Sequence, residues 1–260
     1  MQNDLTAAAI AAHLPPDSPW RVQVHDCVDS TNRLCKSLAA SGEGAGLVVL
    51  ADRQTAGRGR LSRSFFSPSG SGLYMSLLLR PVLPAADALL LTPAAAVATA
   101  EAIEDELGGT VGIKWVNDLF VGDRKVCGIL TESALTAEGE LAYAVVGIGV
   151  NVRAPEGGFP DGLADTAGAL LPAGAGAPDL RSRLATAILT RCAAHFASLP
   201  AAPFLAAYRS RSILIGRTVT LSTTGESVLV EGIDDACRLL VRDAAGQPRA
   251  ICTGECSVRR

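Results

Sequence analysis

Short apolar segments separated by turn residues constrain the fold of this chain more than any other feature. Residues 118–121 and 126–132 flank Gly122-Asp123, a pair typical of a β-hairpin turn. Residues 142–150 have the composition of a further strand. Because consecutive hairpins pair their strands in opposite directions, the pattern predicts a largely antiparallel or mixed sheet.

Strands and helices are also expected before this region. Asp29-Ser30-Thr31-Asn32 supplies capping residues for a helix that carries Leu34 and Leu38. Thr92-Pro93 opens a second, alanine-rich helix, and Gly108-Gly109 ends it. The expected strands cover residues 21–25, 46–51 and 73–79, and the longer expected helices cover residues 92–107 and 180–199.

The chain changes character after residue 215 and becomes a series of short strand-like segments. This series predicts a small β-barrel, whereas residues 153–179, rich in glycine, proline and alanine, predict a surface excursion. We therefore expect an α+β protein, with a mixed, mostly antiparallel sheet and flanking helices in residues 1–212 and a barrel in residues 213–260. The short segments cover residues 219–221, 228–233 and 239–241, and another begins at Ile251.

Composition and charge exclude several classes of protein. Hydrophobic residues make up 48% of the 260, yet no apolar run approaches the ~20 residues that a membrane span needs. Residues 1–4 lack the basic start of a secretory signal, so we expect a cytoplasmic protein. A net charge of −3 argues against a general nucleic-acid binder. The seven cysteines are scattered without a C-x-x-C pair, which favours reduced thiols over disulfides or zinc ligands.

Residues 57–63 read Gly-Arg-Gly-Arg-Leu-Ser-Arg and join two expected strands. Glycine lets backbone N–H groups approach a ligand closely, and arginine offers forked donors to phosphate or carboxylate oxygens. The segment therefore fits an anion-binding loop. By itself it fits a solvated basic turn equally well.

Lys114 to Asp118 is the second candidate segment. We expect a strand here, with Ile113 and Trp115 on one face and Lys114 on the other. A surface lysine on a half-exposed sheet is the ordinary alternative. No Gly-Lys-Ser/Thr is present, and neither residues 42–46 nor 147–149 complete a dinucleotide fingerprint, so a bound nucleotide would be held by another arrangement.

An ordered series of motifs resembles the biotin–protein ligase family, also called biotin–[acetyl-CoA-carboxylase] ligases. The resemblance covers about residues 20–260 and implies a class II synthetase-like biotin/lipoate ligase catalytic domain followed by an SH3-like barrel. The motifs are Ser30-Thr31-Asn32, Gln54, Gly57-Arg58-Gly59-Arg60, Ser67-Pro68, Gly72-Leu73-Tyr74, Ser76, residues 114–118, Arg124-Lys125, Gly128-Ile129-Leu130, Glu132, residues 147–151 and Gly254-Glu255-Cys256-Ser257-Val258-Arg259.

The resemblance implies a two-step reaction. Biotin and MgATP would give biotinyl-5′-AMP and pyrophosphate, and the biotinyl group would then pass to one lysine of a biotin carboxyl carrier protein. The charge that develops at the α-phosphate calls for fixed cations, which Lys114, Arg58 and Arg60 would supply. Mg²⁺ would accompany the ATP phosphates, with Asp118 as a candidate ligand. No DNA or membrane partner is expected, and both monomers and homodimers occur in the family.

The resemblance also assigns residues to the two halves of the site. The ordinary alternatives are a helix N-cap for residues 30–32, a strand end for Gln54 and a turn for Asn117-Asp118. Biotin would contact Ser30, Thr31, Asn32, Gln54, Gly57, Arg58, Gly59, Arg60, Lys114, Gly147 and Gly149, and the adenylate would contact Arg60, Phe65, Asn117 and Asn151.

Three positions depart from the family pattern, which commonly has glycine, tryptophan and proline where this chain has Ser62, Phe65 and Val116. Phe65 keeps an aromatic face but lacks the indole N–H, Val116 is expected to keep the strand, and Ser62 is expected to restrict the loop. Residues 1–19 are too few for the winged-helix domain of some members, so operator binding is not expected. The competing hypotheses are a lipoate or octanoyl transferase, and a non-catalytic biotin sensor or RNA-binding module.

Overall fold

Two β-sheets, five α-helices and one 3₁₀-helix (Asp87–Leu90) make up the fold of the computed structural model, which describes residues 5–252, 254 and 256–258. The helices are α1 (Ala7–His13), α2 (Thr31–Ala40), α3 (Leu91–Leu107), α4 (Leu180–Ala197) and α5 (Leu205–Ser210). The strands are β1 (Arg21–Val28), β2 (Leu47–Gln54), β3 (Gly72–Leu79), β4 (Gly112–Lys114), β5 (Asp118–Val121), β6 (Arg124–Leu135), β7 (Leu141–Asn151), β8 (Thr218–Leu221), β9 (Ser227–Ile233), β10 (Leu239–Arg242), β11 (Pro248–Ile251) and β12 (Cys256–Val258).

The larger sheet has seven strands in the order β1-β2-β3-β7-β6-β5-β4. β1 and β2 are parallel because α2 connects them as a crossover, and every other neighbouring pair is antiparallel. The predicted mixed, mostly antiparallel sheet is therefore confirmed. The hairpin predicted at Gly122-Asp123 joins β5 to β6.

Both faces of the sheet are covered at its centre. In β2, Val48 and Leu50 belong to the main core with α3 and α4, whereas Leu47 and Val49 pack with Cys35 of α2. A strand buried on both faces reads as a continuous apolar run, which explains why this segment was recognisable from composition. The result is a helix, sheet, helix arrangement with the sheet in the middle.

The predicted long helices are confirmed, and α3 ends where expected because Gly108 takes a positive φ of 75°. Two short helices were not predicted. In α1, Ile10 is fully buried against the rest of the fold, and in α5 Tyr208 is fully buried as well. Both helices depend on long-range packing. Segments of seven and six residues are too short to show a helical periodicity of their own.

The prediction of one strand from Lys114 to Asp118 is wrong. β4 ends at Lys114, residues 115–117 form a turn, and Asp118 begins β5 opposite Lys114. Val116 therefore lies in a turn and not in a strand. Its carbonyl oxygen accepts a hydrogen bond from the Tyr208 hydroxyl at 3.1 Å.

The C-terminal sheet has five antiparallel strands in the order β11-β10-β9-β8-β12. These pairs form an open row within the described residues, so closure into an SH3-like barrel remains a prediction, as does the domain boundary at residues 212 and 213. Within the terminal motif, Glu255 and Arg259 lie outside the described residues.

The two sheets share a single hydrophobic core, which runs from β2 to β10. Trp115 Nε1 donates to the Cys237 carbonyl oxygen at 2.8 Å, and Ile113 bonds through its backbone to both Arg211 and Ile213. The C-terminal sheet therefore sits directly beside the turn that follows Lys114.

None of the described helices is long and apolar enough to cross a membrane. None of the seven cysteines forms a disulfide in the described part of the chain, and five of them are buried.

Candidate active site

A cleft of about 1040 Å³ opens on the larger sheet and collects nearly all of the predicted site residues. These residues are up to 121 positions apart in the chain, from Ser30 on the start of α2 to Asn151 at the end of β7. Gly57 is close to the cleft but does not line it. The predicted residues that line the cleft are Ser30, Thr31, Asn32, Gln54, Arg58, Gly59, Arg60, Phe65, Lys114, Asn117, Asp118, Gly147, Gly149 and Asn151.

One end of the cleft consists of neutral polar groups held in fixed orientations. Gln54 Oε1 accepts hydrogen bonds from the Thr31 backbone N–H at 2.8 Å and from the Thr31 hydroxyl at 3.2 Å. Gln54 Nε2 donates to Ser67 Oγ at 2.9 Å. Because these bonds fix which face of the amide carries the oxygen, Gln54 presents a defined edge to a ligand.

Asn32 lies at the floor of this end and is almost completely buried. Its Oδ1 lies 2.6 Å from Ser76 Oγ, and its Nδ2 donates to the Leu130 carbonyl oxygen at 3.2 Å. A Cβ at Gly147 would lie 2.0 Å from Asn32 Oδ1, so the close approach of β7 requires glycine at position 147. Residues 30–32 also begin α2, since Ser30 caps the helix. The capping and cleft-lining interpretations therefore both hold.

Phe65 supplies an aromatic wall. A Cβ at Gly149 would lie 2.8 Å from the Phe65 ring, and the ring meets Tyr74 edge to face with centroids 6.3 Å apart. The second glycine of β7 thus leaves room for the ring that closes over the strand.

Residues 57–63 form a short hairpin, called the arginine hairpin below. Phe65 N–H donates to the Gly57 carbonyl oxygen at 2.9 Å, and Gly59 N–H donates to the Arg63 carbonyl oxygen at 2.7 Å. At the tip, Leu61 and Ser62 take positive φ angles of 52° and 61°. Two successive left-handed residues define a type I′ turn, which favours glycine. The Ser62 departure therefore falls where the backbone conformation suits glycine best.

Arg60 and Lys114 are two cations of the cleft that pair with no carboxylate in the described part of the chain. Arg60 donates to Asn117 Oδ1 at 2.8 Å and to the Gly254 carbonyl oxygen at 3.1 Å, both of which are neutral acceptors. Lys114 Nζ lies 6.0 Å from the Phe120 ring centroid, and no carboxylate in the described part of the chain pairs with it. Both cations remain available to an anionic ligand.

Arg58 differs, because it forms an ion pair with Glu132. Arg58 Nη1 lies 3.0 Å from one carboxylate oxygen of Glu132 and 3.1 Å from the other, and Lys36 Nζ lies 2.7 Å from the same group. Burial raises the pKa of Glu132, but hydrogen bonds from Lys36 and Asn32 outweigh it and hold the pKa below its ordinary value. Arg58 was expected to act as a free cation, and in this geometry it is an ion-pair partner.

Asp118, the candidate metal ligand, is paired with Lys125, whose Nζ lies 2.7 Å from Oδ1. Among the described residues no three His, Cys, Asp or Glu side chains are grouped as a metal site. Asn117 next to it donates through Nδ2 to the Ile129 carbonyl oxygen at 2.9 Å. Asn117 lies in the turn at residues 115–117, as the turn interpretation expects, whereas Asp118 begins β5. Both residues also line the cleft.

Sequence reasoning missed one wall of the cleft. The segment at residues 153–179, expected to be a surface excursion, returns to the sheet. There Lys125 N–H donates to the Thr166 carbonyl oxygen at 2.9 Å, and Gly168 N–H donates to the Lys125 carbonyl oxygen at 2.8 Å. Asn151 Nδ2 donates to the Gly168 carbonyl oxygen at 2.9 Å, which ties the segment to the end of β7. Phe159, Leu163, Asp165, Thr166 and Ala167 line the cleft from this segment.

The C-terminal part of the chain also contributes to the cleft, through Ile213 and Arg217. Neither residue was predicted. Their position follows from the backbone bonds between residues 211–213 and Ile113, which no local sequence signal reports.

Two family models match the chain. The model of the Biotin/lipoate A/B protein ligase family matches residues 24–151, and the model of the Biotin protein ligase C terminal domain matches residues 214–259. The first range contains every predicted site residue, and the second covers the C-terminal sheet.

Curated relatives and solved structures agree with these matches. A biotin–[acetyl-CoA-carboxylase] ligase of Mycobacterium tuberculosis is 34% identical over 250 residues, which are 92% of this chain and 89% of that protein. Bifunctional ligase/repressor BirA of Bacillus subtilis is 42% identical over 146 residues, so the match spans about half of each protein, 56% of this chain and 45% of BirA. The structure of biotin protein ligase from Aquifex aeolicus in complex with biotin and ATP superposes with a TM-score of 0.73 at 27% identity, covering 92% of this chain and 99% of that one. This chain belongs to the biotin protein ligase family.

Proposed function

We propose that this protein is an ATP-dependent ligase that converts biotin to biotinyl-5′-AMP and transfers the biotinyl group to a lysine of a biotin carboxyl carrier protein. The observation that carries the proposal is the division of one cleft into a neutral polar end, at Thr31 and Gln54, and an end with two cations, Arg60 and Lys114, that pair with no carboxylate among the described residues. The substrate must then combine a neutral hydrogen-bonding head with an anionic tail.

Biotin has this chemistry. Its ureido ring offers two N–H donors and one carbonyl acceptor on a small apolar bicycle, and its valeryl chain ends in a carboxylate. Neutral hydroxyl and amide groups at the end of a slot are suitable partners for such a ring. The slot would be built by Ser30, Thr31, Asn32 and Gln54, with Gly147 allowing the strand to lie against the ligand.

The cationic end would stabilise the first step. A biotin carboxylate oxygen attacks the α-phosphorus of ATP, the bond from that phosphorus to the bridging oxygen breaks, and pyrophosphate leaves. Negative charge accumulates where the two anions meet. Lys114 and Arg60, already in place, stabilise that charge without reorganisation.

The second step would use the same charges. The carrier lysine attacks the acyl carbon of the mixed anhydride, the bond between acyl carbon and phosphate oxygen breaks, AMP leaves, and the amine loses a proton. The arginine hairpin and Phe65 would cover the anhydride in the meantime and keep water away from it. Asn151 and the segment at residues 159–167 line the remaining part of the cleft, where we place the adenosine.

Mg²⁺ fits this site as an ion carried by ATP. Mg²⁺ in nucleotide sites is ordinarily held by one or two carboxylates together with phosphate oxygens and water. The cleft carboxylates are Asp118, Asp123 and Asp165, and Asp118 is already paired with Lys125. When bound, the ion would shield the charge of the departing pyrophosphate.

The decisive experiment is transfer to a carrier. The protein is incubated with ATP, Mg²⁺, biotin and a biotin carboxyl carrier domain, and the carrier mass is measured together with that of the intermediate. We expect a carrier heavier by one biotinyl group and a biotinyl-AMP species that depends on ATP. A carrier domain whose target lysine is replaced by arginine is the control. Incorporation of lipoate without biotin in a competition would replace this proposal with the lipoate transferase alternative.

A further inference from the structure

We propose that Glu132 is a positioning residue that holds the arginine hairpin against the sheet by pairing with Arg58. The inference rests on the proposed function, since a hairpin fixed over the cleft affects catalysis only if biotin binds there. Glu132 lies on β6, and 74 residues separate it from Arg58 in the chain.

The Arg58–Glu132 ion pair connects the arginine hairpin to β6. Arg58 Nη1 lies 3.0 Å and 3.1 Å from the two oxygens of the carboxylate. The Glu132 side chain is 16% exposed and that of Arg58 is 39% exposed. One partner is therefore shielded from solvent, and salt screens such a pair less than it screens a pair with both partners exposed.

The same carboxylate reaches the biotin end of the cleft. Glu132 Oε2 accepts a hydrogen bond from Asn32 Nδ2 at 3.1 Å, and Lys36 Nζ lies 2.7 Å from Glu132 Oε1. Asn32 in turn contacts Ser76 on β3. Glu132 thus connects the first arm of the arginine hairpin to the helix and strand that form the predicted ureido pocket.

The pairing also decides which cations face the reacting anions. An arginine bonded to Glu132 does not compete with Lys114 and Arg60 for the biotin carboxylate. If Glu132 became neutral, the hairpin arm would lose its anchor and Arg58 would become a further cation free to face the reacting anions. A released hairpin arm and an Arg58 that competes for the biotin carboxylate both weaken the productive binding of biotin more than they slow the chemical step. The KM for biotin should therefore rise while kcat changes little.

The test compares Glu132→Gln with Glu43→Gln. Glu43 pairs with Arg21 at 2.9 Å, with 30% of its side chain exposed, and it does not line the cleft, so its variant controls for the loss of an ion pair as such. Two quantities are measured: the KM for biotin in biotin-dependent ATP–pyrophosphate exchange, and the rate of trypsin cleavage after Arg58, read by mass spectrometry. We expect Glu132→Gln to raise both about tenfold and Glu43→Gln to leave both near the wild-type values.

A double variant tests whether Glu132 acts through Arg58. If it does, Arg58→Gln/Glu132→Gln has a KM no higher than that of Arg58→Gln alone, because the hairpin arm is already released and the amide oxygen of a glutamine can still accept the hydrogen bond from Asn32. Effects that simply multiply would overturn the proposal, as would unchanged cleavage after Arg58 in Glu132→Gln. Should Glu132→Gln fail to fold, Arg58→Gln breaks the same pair from its exposed side, and faster cleavage after Arg60 is then the expected result.

The two proposals fail in distinguishable ways. An absence of exchange in the wild-type protein would contradict the ligase function, while the cleavage rates would still decide whether Glu132 anchors the hairpin. If the wild-type protein catalyses exchange, and Glu132→Gln has the same KM for biotin and the same rate of cleavage after Arg58 as the wild type, only the positioning role is contradicted.

Discussion

Arg60 on the arginine hairpin donates a 2.8 Å hydrogen bond to Oδ1 of Asn117, in the turn that directly follows Lys114. A second bond, to the Gly254 carbonyl oxygen at 3.1 Å, connects Arg60 to the C-terminal segment. The hairpin tip is therefore held from the large sheet and from the C-terminal part of the chain at once. A residue in this position can close the cleft as well as bind charge.

Replacing Arg60 by glycine should release the adenylate early. The substitution removes one cation and two hydrogen bonds, and a hydrogen bond to a charged group contributes about 1.5–3 kcal/mol, so we expect roughly tenfold to hundredfold faster leakage. Leakage is measured as biotin on the lysines of a bystander protein that is no carrier. Asn117→Ala keeps the cation and removes one bond, so it should leak to an intermediate extent. Equal leakage from wild type and Arg60→Gly would show that the hairpin does not retain the adenylate.

Lys114→Ala should abolish most adenylate formation and leave the fold intact. Lys114 is half-exposed and forms no ion pair within the described residues, so its removal leaves no partner buried without compensation. Loss of a donor aimed at developing charge typically lowers kcat by about 10²–10³. Lys125→Ala is the matched control, because Lys125 lines the same cleft but is paired with Asp118.

The measurement for this pair is pyrophosphate release in the presence of biotin, together with the urea midpoint of each variant. Lys114→Ala should lose pyrophosphate release at an unchanged midpoint, and Lys125→Ala should retain most of it. Comparable losses in the two variants would remove Lys114 from its assigned role.

Two glycines on β7 should respond differently to alanine. A Cβ at Gly147 would lie 2.0 Å from Asn32 Oδ1, whose side chain is buried and hydrogen-bonded, so the clash has no easy relief. A Cβ at Gly149 would lie 2.8 Å from the Phe65 ring, which borders the open cleft. We expect Gly147→Ala to lower the free energy of unfolding by about 1–3 kcal/mol, as overpacking does, and Gly149→Ala to lower it less.

Binding should separate the two glycine variants further. Gly147→Ala should weaken biotin binding, whereas Gly149→Ala should mainly weaken binding of the adenylate, which needs the Phe65 ring in place. Isothermal titration with biotin and then with a non-hydrolysable biotinyl-AMP analogue distinguishes these outcomes. Identical affinity profiles for the two variants would contradict the division of the cleft.

The tip of the arginine hairpin should tolerate glycine and reject a β-branched residue at position 62. Ser62 has a φ of 61°, and a left-handed conformation costs an ordinary residue roughly 1–2 kcal/mol. Glycine relieves that cost, but its greater conformational entropy stabilises the unfolded chain by about 0.4–1 kcal/mol. Ser62→Gly should therefore stabilise the folded protein only slightly. Ser62→Val should destabilise the tip.

Hydrogen exchange at the Arg63 amide reports on this turn directly, because that N–H donates to the Arg60 carbonyl oxygen at 3.1 Å. Protection should follow the order Ser62→Gly, wild type, Ser62→Val. Equal protection in the valine and glycine variants would mean that the turn does not persist in solution.

Local signals explain what the sequence revealed. Strand β2 was predictable because burial on both faces produces an unbroken apolar run, and α3 was predictable because Gly108 ends it. The cleft residues were identified through the ordered motifs they share with a family. The turn at residues 115–117 was missed because Trp115 is buried against the Cys237 carbonyl oxygen, so its apolar character imitates a continuing strand.

The parts that could not be predicted depend on partners far away in the chain. Glu132 was identified as a motif residue. Its pairing with Arg58 could not be predicted, because the two residues are 74 positions apart and no local sequence pattern connects them. The same holds for Arg217, which reaches the cleft because residues 211–213 bond to Ile113. Such contacts are decided by how the sheets come together and not by the propensity of either segment.

The far end of the segment that carries the arginine hairpin is held by a buried ion pair, which gives the last prediction. Arg181 on α4 lies 2.6 Å from Asp52 Oδ1 on β2, and the Arg181 side chain is only 2% exposed. Asp52 also accepts hydrogen bonds from the Ser69 hydroxyl and from the Gly70 N–H, just before β3 begins. Removing the carboxylate would break this buried ion pair from one side, which typically costs about 3–5 kcal/mol.

The pH dependence of Asp52 follows from the direction of its pKa. Burial raises the pKa of this carboxyl, but hydrogen bonds from Ser69 and Arg181 outweigh it, so the folded pKa lies below the unfolded value. The stabilisation is therefore complete well above an unfolded pKa of about 3.9 and is lost as the pH falls through the folded pKa. Urea unfolding of wild type and Asp52→Asn should differ most near neutral pH and converge in acid. Asp29→Asn, which breaks an exposed pair with Arg33, should cost less than about 1 kcal/mol, and a similar loss in both variants would contradict the buried-pair account.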